Sequence, residues 1–217
     1  FQLPMVFSSH PLEIVGTVLN GFLVTRFLSM EGGELVQKRK DILKEAVEVC
    51  FQAELEYQSS FNAFENEWII KSKNAFSHTL QGLIVQIEKP EKEVLQWIVE
   101  NANNYSNRQI RYASQGFVLN LILLALYWIL NRENDFSFAS ILSQGRETEK
   151  LGALVGAWAG ALRGTQATPE NLRTGLVNGR EIRLRGDALF HRRMNKDAKV
   201  LVDMELGLTN KEAEEAK

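Results

Sequence analysis

A chain of 217 residues, 45% hydrophobic and 24% charged, can bury a full core as one globular domain. Its 25 basic residues balance 27 acidic ones, and a net charge of −2 excludes nucleic-acid binding driven by bulk electrostatics. Cys50 stands alone, so no internal disulfide can form, which fits a reducing cytoplasm. The chain opens on Phe1 without a basic-then-apolar leader, and we read it as a processed or truncated piece of a longer protein.

The first helix is predicted to start at Ser8-Ser9-His10-Pro11. Ser9 or His10 can cap it, and Pro11 near the first turn gives up only an amide that a helix start leaves unpaired anyway. Ile14, Val15, Val18, Leu19, Phe22, Leu23 and Phe27 then recur at helical spacing, and Gly32-Gly33 ends the run. A second amphipathic helix follows. It places Leu35, Val36, Ile42, Leu43, Ala46, Val47 and Cys50 inward, with Lys38, Arg39, Lys40 and Lys44 on a solvated face.

Residues 52–74 have the weakest periodicity and are expected to form a loop or broken helix, a candidate insertion. Helices are predicted over 75–88 and 91–102, divided by Lys89-Pro90. After the turn at 101–107, a long apolar helix is expected from about Arg108 to Asn131. Its apolar part, FVLNLILLALYWIL, is about fourteen residues, short of the ~20 that span a bilayer, so it reads as a core helix. Asp135 or Ser137 would cap a short helix through Phe138, Ile141 and Leu142.

The next stretch, GRETEKLGALVGAWAGALRG, is the centre of the pattern. Gly152, Gly156, Gly160 and Gly164 recur every fourth residue, beside Ala153, Ala157 and Ala161. They would form one smooth helical face, expected to lie against another helix, most simply 108–131. Pro169 opens a further helix with Leu172 and Leu176, and Asn178-Gly179 makes a turn. The arginine-rich 180–193 reads as solvated surface in preference to a phosphate patch, and the charged tail is expected to fray. No run alternates like a strand, so the class is all-α. His10, His78 and His191 have no metal spacing, and Cys50 on an apolar face reads as core, not nucleophile.

The glycine-striped helix, preceded by Glu147 and Glu149 and followed by Thr168-Pro169, resembles the closing motif of the ADP-ribosylglycohydrolase family, which also includes a lens crystallin. There a GGDTDT segment runs into a small-residue helix and then Ile-Pro. Ser114-Gln115-Gly116-Phe117-Val118 is similar to the small-Gly-aromatic-Val sequence that opens an earlier helix of the family. The motif resemblance is continuous from about Ser114 to Leu176, and upstream it rests on helix pattern. It implies a single all-α domain over residues 1–217, a compact multi-helix bundle around the Gly/Ala-rich helix, with the N-terminal part of the family domain absent.

The family implies two magnesium or manganese ions that orient ADP-ribose and activate a water against the ribose anomeric carbon. By that resemblance the metal positions are Glu147, Glu149 and Lys150, and the ligand-binding candidates are Arg146, Ser114, Gly116 and Phe117. The motif is degenerate: Arg146 replaces a glycine, Glu147 and Glu149 replace aspartates, and Lys150 replaces a threonine. No Asp-Asp pair and no early acidic cluster beside a threonine accompanies it.

From the residues themselves, the two glutamates favour the positive helix N-terminus and Lys150 pairs on the surface. The alternatives are a site in which Lys150 replaces the metal, and a working metal site. The expectation is therefore a cytoplasmic, non-catalytic member, a pseudoenzyme that needs no cofactor and binds an ADP-ribose-like ligand or a protein, with no nucleic-acid or membrane partner. An active hydrolase removing ADP-ribose from modified side chains is the alternative, and a purely structural helical protein the second.

Overall fold

The computed structural model describes residues 10–30, 34–60, 67–131, 143, 145–176 and 178–193, with a few positions between 206 and 214. Helix is the only regular secondary structure among them. The chain divides into two compact units, Phe1–Ala167 and Thr168–Lys217.

In the first unit, α1 spans Pro11–Leu28 and starts as its sequence dictates. His10 caps it, its Nδ1 accepting the Leu12 amide at 3.3 Å, with Pro11 in the first turn. It buries Leu12, Ile14, Val15, Leu19, Leu23 and Phe27. By length and composition this helix is apolar enough to cross a membrane, yet it supplies much of this core.

The second helix, α2 (Leu35–Ser60), does not stop where periodicity weakens. It runs through residues 52–60, and α3 (Glu67–Ser72) follows, so of the loop or broken helix expected over 52–74 the described residues form the helical alternative; positions 61–66 lie outside the described residues. The reason is Glu54. Its carboxylate is buried and accepts the Phe76 amide at 2.9 Å, the Ser77 amide at 3.2 Å and the Ser77 hydroxyl. It thereby satisfies the open N-terminus of α4 (Ala75–Gln86) from another helix, while Asn74 makes no side-chain cap. With Cys50, Ala53 and Tyr57 it keeps the inward face of α2 continuous for two turns past the apparent end. Cys50 is fully buried, and burial pushes its thiol well above the ordinary range, as suits a core residue and not a nucleophile.

α5 (Glu91–Asn103) follows Pro90. The long helix expected from Arg108 begins only at Val118, so α6 is Val118–Asn131. Between α5 and α6 the backbone is held by side-chain amides instead of helical bonds. Asn103 brackets Ile110, donating to its carbonyl and accepting from its amide, both at 2.8 Å. Gln115 Oε1 accepts the Arg111 amide at 2.9 Å, and Asn120 Nδ2 donates to the carbonyls of Ala113 and Gln115. Each such bond competes with the helix for the same backbone groups. From Leu119 to Leu130 every residue of α6 is buried, and it packs against α1, α2, α4 and α5. Each fully buried Leu or Ile contributes about 1.5–3 kcal/mol, an upper estimate given residual structure in the unfolded chain. The short helix expected through Phe138, Ile141 and Leu142 lies outside the described residues.

α7 (Thr148–Arg163) lies on α1 and α6. It meets them with its bulky face, Leu151, Val155, Trp158, Ala159 and Leu162, and not with the glycine stripe. Gly152, Gly156 and Gly160 are half-buried and Gly164 is exposed. Among the described residues, a Cβ at Gly152 or Gly160 would meet nothing within 4 Å. The expected close packing of that stripe is therefore not found at these positions. Burial of apolar volume favours the large side chains, and Trp158 also donates its Nε1 to Asn20 Oδ1 at 2.8 Å, tying α7 to α1. The close approach is made instead by Gly16 of α1, where a Cβ would meet Ile122, Phe76 and Val118 at 3.2–3.3 Å. A single 3-10 turn, Gly164–Ala167, ends the unit.

In the second unit, α8 is the short helix Glu170–Thr174 and α9 spans Gly179–Phe190. Asn178 takes the left-handed conformation, φ 58°, at the expected turn. Most of α9 is exposed, Glu181 being its buried residue.

Candidate functional site

A cleft of about 450 Å³ opens in the first unit where three segments converge. The first turns of α1 bring Glu13, Gly16, Thr17 and Asn20. The entry to α6 brings Gly116, Phe117, Val118, Leu121 and Ile122, and the start of α7 brings Lys150 and Leu154. Its size lies within the range of small-molecule sites, roughly 300–1,000 Å³. Gly16 is what lets α1 and α6 close its floor, since a side chain there would hold them apart.

Two turns of chain fix the polar edge. Gly145 and Arg146 both have φ 65°, and the chain then enters α7 through Glu147. Arg146 thus keeps a left-handed backbone that glycine adopts freely and other residues rarely do. Its guanidinium lies 4.4 Å from the centre of the Tyr112 ring. Such a contact contributes about 0.5–1 kcal/mol at an exposed site, about half of the roughly 1–2 kcal/mol that the left-handed conformation costs. The Glu147 amide donates to the Ser114 carbonyl at 3.3 Å, joining the start of α7 to the loop before α6.

The Glu147 side chain lies against Gly116, with Oε1 2.7 Å from where a Cβ would stand. Its Oε2 is 2.5 Å from Lys150 Nζ. Hydrogen bonding to Lys150 holds the Glu147 carboxyl below its usual pKa, and the same bond raises that of Lys150. Both groups are charged at neutral pH, and they form an ion pair beside the cleft, with Glu149 also raising the Lys150 pKa.

Of the candidate residues, Gly116, Phe117 and Lys150 line the cleft and Glu147 packs beside it. Glu149 is exposed and is not among the lining residues. Arg146 turns to Tyr112, and Ser114 is buried with its carbonyl on Glu147; Ser114 instead borders a second hollow of about 430 Å³, with Tyr112, Arg111 and Glu100. Glu13, Thr17 and Asn20 were not anticipated. Their signal was spacing: 13, 16, 17 and 20 fall on one face of α1, between its buried rows.

The donors that could hold a metal are few. Asn20 Oδ1 already accepts from Trp158, and the Thr17 hydroxyl donates to the Glu13 carbonyl at 2.8 Å. Glu147 is paired, and no group of three or more His, Cys, Asp or Glu gathers among the described residues.

Compared with known proteins, the chain matches no curated protein and no solved structure. A family model does match: that of the ADP-ribosylglycohydrolases, over residues 7–199, which takes in the helices upstream of Ser114 as well as the closing motif. A match across that much of the sequence, on an all-helical fold, means that the chain belongs to the ADP-ribosylglycohydrolase family.

Proposed function

We propose that this protein is a non-catalytic member of its family, one whose cleft binds a ligand or a protein without metal-dependent turnover. The observation carrying this reading is the ion pair between Lys150 Nζ and Glu147 Oε2. Divalent magnesium or manganese needs several free oxygen donors. Here the carboxylate at the family's metal position already has a cation, supplied by the side chain that replaces a hydroxyl ligand. An ammonium there both removes a ligand and repels an incoming divalent ion. Among the described residues, the remaining side-chain oxygens of the cleft, on Glu13, Thr17 and Asn20, do not make up a dinuclear donor set. We therefore route no chemical step through a metal.

Without a metal-activated water, the described residues of the cleft offer no replacement route to hydrolysis. His10, His78 and His191 are not among its lining, and its one unpaired carboxylate, Glu13, has no second carboxyl arranged across the cleft to share acid and base roles. What the cleft retains is shape and polarity suited to holding a ligand.

The test pairs calorimetry with an activity assay. Magnesium and manganese are titrated into the purified chain, and release of ADP-ribose from modified arginine and serine peptides is followed with and without chelator. The expected result is no metal binding in the micromolar range and no release above background. Micromolar metal binding with metal-dependent release would establish the hydrolase instead.

A further inference from the structure

The second unit carries an exposed apolar stripe. Along α9, Ile182, Gly186, Leu189 and Phe190 stand at i, i+4, i+7 and i+8 and so share one face. That face meets solvent: Leu189 and Phe190 are 81% and 82% exposed, and Ile182 is exposed as well. Leu176, also exposed, prolongs the stripe, its Cβ 3.6 Å from where a Cβ on Gly179 would stand. The opposite face, with Glu181, Leu184 and Ala188, is the covered one.

The same helix is basic. Residues 178–193 hold five arginines against two carboxylates, Glu181 and Asp187. Glu181 is buried, and Asp187 is engaged by His191 at 3.3 Å and Arg193 at 3.6 Å. Arg183 borders the stripe beside Phe190, and Arg180 and Arg192 stand exposed at the two ends of the helix. These cations oppose pairing of the face with a second copy of itself and favour an anionic surface. Gly179 and Gly186 also leave gaps along the stripe, and a Cβ on Gly186 would meet nothing within 4 Å. A protein groove recognises a helix through anchors in fixed pockets, whereas a fluid apolar layer closes over such gaps.

We propose that α9 docks the protein on the surface of an anionic lipid bilayer. The helix lies in the interface, with Ile182, Leu189 and Phe190 among the acyl chains and Arg180, Arg183 and Arg192 against the headgroup phosphates. The long guanidinium stems reach from the apolar layer to those headgroups, so the arginines do not oppose burial of the stripe. The length that excludes α6 as a span does not bear on this helix. A helix lying on a bilayer needs one apolar face and basic flanks. The proposal replaces the expectation of no membrane partner, and it holds whether or not the cleft turns over a substrate.

The test is flotation of the full chain with phosphatidylcholine vesicles, with and without phosphatidylserine, at low and high salt. Sedimentation velocity without lipid measures self-association, and binding to polyglutamate stands in for an acidic protein partner. The variants are Leu189→Asn with Phe190→Asn, and Arg180→Gln with Arg183→Gln. All four positions are exposed, and unchanged melting curves establish that the variants are folded.

The wild type should float with phosphatidylserine vesicles, less with phosphatidylcholine alone and less as salt rises. The apolar double variant should weaken binding on the order of 10-fold at either salt. The arginine double variant should weaken it on the order of 10-fold at low salt and flatten the salt dependence. Failure of the wild type to float with phosphatidylserine vesicles would overturn the proposal, as would flotation that both double variants leave unchanged. A dimer that Leu189→Asn with Phe190→Asn converts to monomer would overturn it in favour of a second copy. Polyglutamate binding as tight as vesicle binding would overturn it in favour of an acidic protein. Metal-dependent release of ADP-ribose tests the cleft alone, so the two readings fail separately.

Discussion

The Glu147 carboxylate fills the space that a side chain on Gly116 would take, its Oε1 2.7 Å from the ideal Cβ position. Gly116 is thus the surface on which the Glu147–Lys150 pair is laid. Gly116→Ala should displace the carboxylate and loosen the pair at little cost in stability, because the displaced atoms are the end of a flexible, part-exposed side chain. Lys150 should then titrate closer to an ordinary lysine. NMR titration of isotope-labelled lysine side chains reads this directly, and an unshifted Lys150 in the variant would show that Gly116 does not set the pair.

Glycines in α1 and α7 should respond with opposite signs. At Gly152 and Gly160 an added methyl meets open space among the described residues, so Gly→Ala should stabilise the protein by about 0.5–1 kcal/mol at each site. At Gly16 three side chains stand at 3.2–3.3 Å from the new Cβ. Overpacking of about 1–3 kcal/mol should exceed the helix gain there. Urea denaturation of the three variants compares them, and a destabilised Gly152→Ala would show that α7 packs on its glycine face after all.

Glu54 is buried and accepts three hydrogen bonds from the start of α4. Glu54→Ala leaves the Phe76 and Ser77 amides without their acceptor inside the fold, and should cost about 2–4 kcal/mol from unpaired groups and cavity together. Glu54→Gln keeps an acceptor and should be far milder.

The same residue predicts a pH dependence. Burial raises the folded pKa of Glu54, outweighing the hydrogen bonds from Ser77 and Phe76 that lower it. A folded value above the unfolded one means that folding is favoured while the group stays protonated. The contribution is full below the ordinary carboxyl pKa and is lost as pH rises through the raised folded value. Glu88 and Glu147, whose folded pKa values are lowered, work in the opposite sense. Stability of the wild type relative to Glu54→Gln should therefore decline as pH rises from the ordinary carboxyl range through the raised folded value. A flat difference would mean that the three hydrogen bonds hold Glu54 at its unfolded pKa.

Under the proposed non-catalytic reading, substituting the four residues at the start of α7 with those of the motif it resembles should not create a working metal centre. With Arg146→Gly, Glu147→Asp, Glu149→Asp and Lys150→Thr combined, the left-handed backbone at Arg146 is relieved and the ammonium is gone. Among the described residues, the opposite wall still offers Glu13, Thr17 and Asn20. At most weak metal binding is expected by calorimetry; micromolar affinity would locate the whole defect in these four positions.

By itself the sequence determined the helical class, the family through its closing motif, and nearly every helix start that rests on local chemistry, such as Pro11 behind His10 or Glu91 behind Pro90. Those features act within one turn, through backbone geometry and capping, so neighbouring residues suffice to read them. Tertiary structure decided what depends on partners far along the chain. Glu54 looks like a loop residue until the start of α4, more than twenty positions away, comes to its carboxylate. Residues 108–117 look helical until the amides of Asn103, Gln115 and Asn120 take up backbone groups there. The glycine stripe of α7 and Gly16 of α1 are equally smooth on paper, and only assembly assigns the close contact to Gly16. For the same reason the cleft was half legible: its α7 and α6 edges carry motif residues, whereas Glu13, Thr17 and Asn20 belong to it only because Gly16 lets α1 and α6 meet.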